Sequence, residues 1–552
     1  MLMVLLAVVG SMQLAIVSLD TSIGDEDAAA YALLGKSVKD GHGFSSRVVW
    51  LFFTRYDQPE HPEDYWPLLQ PLLIAASTSL FGDTLLAVKL INILAFLTLA
   101  CSVFVIGAKL VSRRCGLLAA AMCLASPDLA LYALGSRNDL VFVLLATLCC
   151  YRMSATVGLS GSQFLRRDAL QAGLLAAAAF WQRPVGLLLV PSYGVILAAH
   201  VLVDRARGAS GVLAGRVKAF TLVAIVFLAA ASPYLVWNYS KHGSLLPPLG
   251  CYLSALYLNA DAQSVPRSID TDLSHYPEMR KVYFDTQPTV PYDSIDGWKA
   301  VVCKGLREMS ITLQMIKQSH IISIVLLFFA GLSYFTLPAR GRACLEVSAV
   351  FFIVVFLLVA FHQHTEQRYF VFMIPMVCIF STQMMRWIEI RLLIDSGAHG
   401  ASRVNSGRLR GYRLFIAAFL VCSIGLPGVS LYRKVIAAAA VPSEDRLAAD
   451  WLEQNTPADA VIMTAHPYRI SFYSGRPTVM LPLASTAELL DVCRHYRVTH
   501  VMASDEEQAV AGQAGLSYLE DNGFYRRARV YTLSVWEHEQ MRTATLSTRS
   551  GG

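Results

Sequence analysis

The sequence predicts a mainly α, polytopic membrane bundle of about eleven transmembrane helices with a small C-terminal extracytoplasmic α/β domain. Three observations carry this. Of 552 residues, 55% are hydrophobic and 16% charged, short of the roughly one quarter charged residues in an average soluble chain. Apolar runs near the ~20 residues that cross a bilayer recur along the chain. From Ser443 onward they give way to short alternating helix and strand signals.

The expected spans are Leu2–Leu19, Leu85–Val111, Gly116–Leu134, Leu140–Arg152, Ala169–Trp181, Val185–Val203, Phe220–Trp237, Ile321–Leu337, Leu345–Phe361, Tyr369–Met385 and Leu414–Leu431. The fourth and fifth are short and imply tilt or interfacial placement. The first lacks the basic flank of a signal peptide and reads as a retained helix. Alternate connections differ in charge. One set carries Arg113, Arg114, Arg152, Arg166, Arg167, Arg205, Arg207, Arg216, Lys218, Arg340, Arg342 and the six arginines of residues 386–413. Short basic loops mark the cytoplasmic side. The other set holds Asp25 to Asp27, "DQPEHPEDYW", "GSRNDL", the long segment 238–319 and "HQHTEQRY", and is expected outside. The N-terminus is then cytoplasmic and the C-terminal domain extracytoplasmic.

In the tail, Ser443 reads as the N-cap of a helix over "SEDRLAADWLEQ". Ser485 and Glu488 form a capping box, and "VIMTA", "VTHVMAS" and "RARVYTLSVW" read as strands. The domains are thus 1–437, with a first external loop at 20–83, then 443–540, then a disordered tail at 541–552. The net charge of +6 is modest, and no basic block interleaves with aromatics, which argues against nucleic acid as a partner. Most of the eleven cysteines lie in apolar runs and no CxxC pair exists, so a zinc or redox site is unsupported. Cys251 and Cys303 share an external segment and are a candidate pair. His362 and His364 read as interfacial histidines, and "WLFFTRYDQPEHPEDYW" as either a surface helix roofing a site or a solvated loop.

Three consecutive acids, Asp25, Glu26 and Asp27, stand where the first helix leaves the lipid. Charge near hydrocarbon is costly and like charges repel. "DAAAYALLGKSVKDG" has helical spacing, so its dipole favours an ionised carboxylate at the start. A carboxylate kept ionised at a polar cavity mouth is suited to general-base work.

This loop resembles the first external loop of the GT-C glycosyltransferases, in the branch of protein O-mannosyltransferases and lipid A aminoarabinose transferases (glycosyltransferase family 39-like). That family has an Asp-Glu pair with an aromatic residue four after the Asp. Counting back from Tyr31 gives Asp27, with Ala28 in place of the Glu; a slid motif would give Asp25 and Glu26 instead. Further matches run along the chain. "EDYWPLLQPLL" brings Asp64 as the acid, and Tyr65 where the family has Lys. "GSRNDL" brings Asp139, "WQRPVG" brings Arg183, and "EQRYFVFMIP" brings Arg368 and Tyr369, while the expected topology adds Arg137 at another external helix end.

The resemblance implies an integral-membrane inverting glycosyltransferase. It would move a sugar from a polyprenyl-phosphate donor to a hydroxyl of a glycan, lipid or protein acceptor on the external face of a bacterial plasma (inner) membrane. Asp27 would be the base, with Asp25 and Glu26 as the other catalytic candidates. Tyr31, Asp64, Tyr65, Arg137, Asp139, Arg183, Arg368 and Tyr369 would bind substrate. Arginine suits the leaving phosphate because its planar fork pairs with phosphate oxygens. Asp64 and Asp139 either orient the acceptor or hold a divalent cation, Mg²⁺ or Mn²⁺; the residues demand no cofactor, and no metal site is assigned. A flippase for lipid-linked sugars is the alternative, but it calls for internal symmetry and polar residues at mid-membrane. Here the mid-span positions are almost wholly apolar.

Overall fold

The computed structural model describes residues 1–50, 56–157, 166–206, 213–247, 302–303, 305–310, 324–362, 367–397, 410–414, 416–418, 433, 443–481, 486–504, 523–530 and 533–538. Helix α1 is Leu2–Leu19, as expected. Next come α2 (Glu26–Lys39), α3 (Leu69–Phe81), α4 (Leu85–Leu110), α5 (Arg113–Ala125), α6 (Pro127–Ala133), α7 (Asp139–Val157), α8 (Arg166–Gln182), α9 (Leu189–Ala206) and α10 (Leu213–His242). The rest of the bundle is α11 (Ile324–Leu332), α12 (Ala339–His362) and α13 (Ile374–Gly397). Strand pairs Ser45–Ser46 (β1) and Val48–Val49 (β2), and His61–Pro62 (β3), lie between α2 and α3.

Among the described residues seven helices are long and apolar enough to cross a membrane, or eight if one bent pair is a single span. That is fewer than the eleven expected, for identifiable reasons. The third expected span breaks into α5 and α6, bent by 63°, because Pro127 has no N–H with which to continue the ladder. The fourth is 19 residues long rather than short. The fifth and eighth form helices of 17 and nine residues, α8 and α11. Most of Leu414–Leu431 lies outside the described residues, as do 51–55, 248–301, Cys251, His364, Ser485 and 541–552.

The bundle core is aliphatic and aromatic, with Phe96, Leu99, Phe142, Phe180, Phe351 and Phe380 buried. Helices α4 and α5 cross closely. A Cβ on Gly116 would stand 2.4 Å from the Phe104 carbonyl oxygen, so only glycine permits that approach.

The tail is α/β, as expected. Helices Glu444–Asn455 (α14), Pro467–Ser474 (α15) and Thr486–Tyr496 (α16) flank strands Val461–Thr464 (β4), Thr478–Met480 (β5), Val498–Ser504 (β6), Phe524–Val530 (β7) and Leu533–His538 (β8). Ser443 caps α14, accepting from the Arg446 N–H at 3.3 Å. "RARVYTLSVW" holds a hairpin rather than one strand. The six-stranded sheet runs β2-β5-β4-β6-β8-β7. Its edge strand β2 comes from the first loop, pairing in parallel with β5 through Val48–Thr478 and Val49–Val479. Val49 is fully buried in that domain's core beside Val479 and Val501.

Candidate active site

Helix α2 begins where the three acids stand. Asp25 is its N-cap, its carboxylate accepting from the Ala28 N–H at 3.0 Å. This satisfies a donor that the first turn leaves orphaned. Successive helical residues point about 100° apart, and each acid meets a different arginine. Asp25 accepts from Arg137 Nε at 3.0 Å. Glu26 accepts from Arg469 Nε at 2.8 Å. Asp27 is paired with Arg368. Burial raises the Glu26 carboxyl above its ordinary value, against the pull of Arg469 and the Tyr468 N–H.

Asp27 opens onto a cavity of about 600 Å³. Its polar wall is Asp27, Tyr31, Tyr65, Asn138, Arg183, Arg368 and Tyr369; its apolar side includes Phe142, Leu187, Leu188, Val355, Leu358 and Val359. The Asp27 and Arg368 side chains are each 18% exposed. Arg183 donates to Asp139 at 2.6 Å, and Asp139 is only 1% exposed. The Arg183 guanidinium lies 5.4 Å from the Tyr369 ring and Arg368 lies 5.7 Å from the same ring. Two cations therefore share one aromatic ring at the cavity wall. Arg183 is presented by the 3₁₀ turn Pro184–Leu188. That turn folds tightly against α8, since a Cβ on Gly186 would sit 2.4 Å from the Ala179 carbonyl carbon.

The roof is aromatic. Tyr31 meets Trp66 edge-on at 5.1 Å, and Trp50 stacks on Trp66 at 5.8 Å. Residues 56–68 form no surface helix but a loop, with Asp57, Gln58, Glu60 and Pro62 exposed. Its other side is packed, with His61, Glu63, Asp64 and Trp66 buried. Glu63 Oε1 accepts from the Tyr65 and Trp66 N–H groups, both at 2.9 Å, and fixes the turn that presents those rings. Burial pushes the Glu63 carboxyl up to about 8.

Six of the sequence candidates line the cavity: Asp27, Tyr31, Tyr65, Arg183, Arg368 and Tyr369. Asp25, Glu26, Arg137 and Asp139 stand behind it as ion-pair partners. Asp64 turns elsewhere, accepting from the Tyr56 hydroxyl at 2.6 Å, and burial pushes it up to about 6. Asp64 and Asp139 thus bind different partners, Tyr56 and Arg183. Among the described residues no group of three or more His, Cys, Asp or Glu side chains is placed to hold a metal ion. Sequence reasoning missed Trp66, Asn138 and the apolar wall. The "YWP" and "SRND" strings held the first two, while Val355 or Leu358 look like any lipid-facing residue.

Residues 61–237, about a third of the chain, match the family described as dolichyl-phosphate-mannose-protein mannosyltransferase. No curated protein matches the sequence. Among solved structures, ArnT from Cupriavidus metallidurans bound to undecaprenyl phosphate is similar with a TM-score of 0.58 at 15% identity, over 97% of both chains. The archaeal oligosaccharyltransferase AglB from Archaeoglobus fulgidus, in complex with an inhibitory peptide and a dolichol-phosphate, has a TM-score of 0.52 at 12% identity, over 98% of this chain and 74% of that one. The chain therefore shares its fold with these two solved structures, and its residues 61–237 match the mannosyltransferase family model.

Proposed function

We propose that this protein is a GT-C membrane glycosyltransferase that moves a sugar from a polyprenyl-phosphate donor to an acceptor hydroxyl at the extracytoplasmic face, with Asp27 as the general base. The observation that carries this is one cavity lined by a carboxylate, two guanidiniums and an apolar wall. The apolar wall suits a prenyl chain, and Arg183 and Arg368 suit its phosphate. In the structure Arg368 is paired with Asp27. A donor phosphate that takes over Arg368 frees Asp27 to accept a proton. The acceptor hydroxyl then loses its proton to Asp27 and its oxygen attacks the anomeric carbon. The bond from that carbon to the phosphate oxygen breaks, and the charge of the leaving polyprenyl phosphate falls on the arginines. With one carboxylate opposite the leaving group, the anomeric centre inverts.

The placement of the site at the extracytoplasmic face rests on charge. The basic connections gather at the end of the bundle opposite the site, as a cytoplasmic face requires. Mass spectrometry of envelope glycans from strains with and without the gene tests the reading. Loss of one sugar from one acceptor is expected and identifies both. Unchanged glycans, with lipid-linked sugar redistributed across the membrane, overturn it in favour of a flippase.

A further inference from the structure

The C-terminal domain bears on the acid cluster directly. Besides its bond to Glu26, Arg469 donates to Asp445 at 2.7 Å, and its Nη2 lies 2.6 Å from His466 Nδ1. The second oxygen of Glu26 accepts from the Tyr468 N–H at 2.9 Å. The Tyr468 hydroxyl in turn accepts from Trp66 Nε1 at 3.0 Å, and Trp66 lines the cavity. Upstream, the Ile23 N–H donates to the Tyr473 hydroxyl at 2.5 Å, and Arg446 donates to the Thr21 carbonyl at 2.8 Å. Helices α14 and α15 thus hold the chain at Thr21, Ile23 and Glu26, immediately before Asp27. Gly24, at φ 106°, is the one residue of that stretch with left-handed freedom.

We propose that Arg469 is a positioning residue for transfer: by holding Glu26 it sets the first turn of α2, and so the direction in which the Asp27 carboxylate faces the cavity. The proposal rests on the reading of Asp27 as the base. Glu26 and Asp27 are adjacent in one helical turn, so a movement of Glu26 rotates Asp27 with it. Arg469 is not among the residues that line the cavity, so its effect falls on turnover rather than on donor binding. The tail domain is then a structural part of the active site.

The test uses the purified full-length protein, with donor and acceptor in a membrane extract of the native strain. Undecaprenyl phosphate serves as the binding probe, followed by tryptophan fluorescence. Arg469→Gln is expected to lower kcat about 100-fold, with donor KM and probe affinity changed less than about threefold, as a misplaced reactive group does. Arg469→Lys, which keeps the charge, is expected to restore at least about a tenth of the wild-type rate. Wild-type turnover in Arg469→Gln overturns the proposal. So does a loss of probe binding and thermal stability together that Lys fails to rescue, since that marks a purely structural residue. Asp27→Asn is assayed alongside. If it turns over normally, the reading of Asp27 falls; if it is inactive while Arg469→Gln is normal, only the positioning role falls.

Discussion

Both ends of the bundle are laced with acid–base pairs, yet they differ in what those pairs share. At the end opposite the cavity, Arg152 binds Asp168 at 2.9 Å, Arg216 binds Asp204 at 2.5 Å and Arg413 binds Glu389 at 2.6 Å. These partners stand 16, 12 and 24 residues apart in sequence. At the cavity end the separations are 112 for Asp25–Arg137, 341 for Asp27–Arg368 and 443 for Glu26–Arg469. The first set closes local corners of the fold. The second draws distant parts of the chain onto one helical turn beside a cavity. Ion pairs alone do not mark a site; convergence from several elements on one space does.

The largest effect that separates the two ends is expected at Asp27. Asp27→Asn keeps the volume but removes the base, and transfer is expected to fall about 10²–10⁴-fold in a glycan mass-spectrometry or purified-enzyme assay. A folded Asp27→Asn that retains wild-type turnover would remove the distinction between the ends. Next in size is Arg368→Ala. Loss of charge-assisted hydrogen bonds worth roughly 1.5–3 kcal/mol is expected to weaken undecaprenyl phosphate binding about 10- to 100-fold. Tryptophan fluorescence titration reads this directly.

A smaller effect concerns stability and pH at the roof loop. Glu63 has its folded value raised by burial from 4.5 to about 8. A carboxyl raised in this way stabilises the fold most below its unfolded value. That contribution is lost as pH rises from 4.5 through about 8. Glu63→Gln can still accept from Tyr65 and Trp66, and it is expected to flatten the decline seen in thermal melts across that window. The smallest effect is expected at the far end. Arg152→Ala should cost about 1 kcal/mol or less and leave probe binding unchanged, since a partly exposed pair carries little net energy. A binding loss there equal to that of Arg368→Ala would erase the contrast.

Legibility in the sequence follows the same division. Helix α1 matches its expected bounds because a run of apolar residues needs no partner to declare a span. The strands Val461–Thr464 and Val498–Ser504 were legible for the same reason. The acids and Arg137, Arg183 and Arg368 were legible as types on one side of the bundle, but not as pairs. The buried side of loop 56–68 was not legible because distant residues meet it: Trp66 donates to the Tyr468 hydroxyl, and His495 and His242 bond the Tyr56 and Glu63 carbonyls. The bend at Ser126 was passed over because the apolar pattern continues through Pro127 even though the backbone ladder cannot.

The amino-acid sequence by itself determined the membrane class, the α/β tail, and the gathering of acids and arginines at alternate connections. Each of these is set by local hydropathy, periodicity and charge. Tertiary structure alone decided that Asp27 meets Arg368, that Glu26 meets Arg469, that Val48 and Val49 complete a sheet more than 400 residues away, and that Val355, Leu358 and Phe142 wall one cavity with Asp27 and Arg368. The reason is physical: a helix or strand is fixed by neighbours a few residues apart, whereas an ion pair or a cavity wall is fixed by where the whole chain returns.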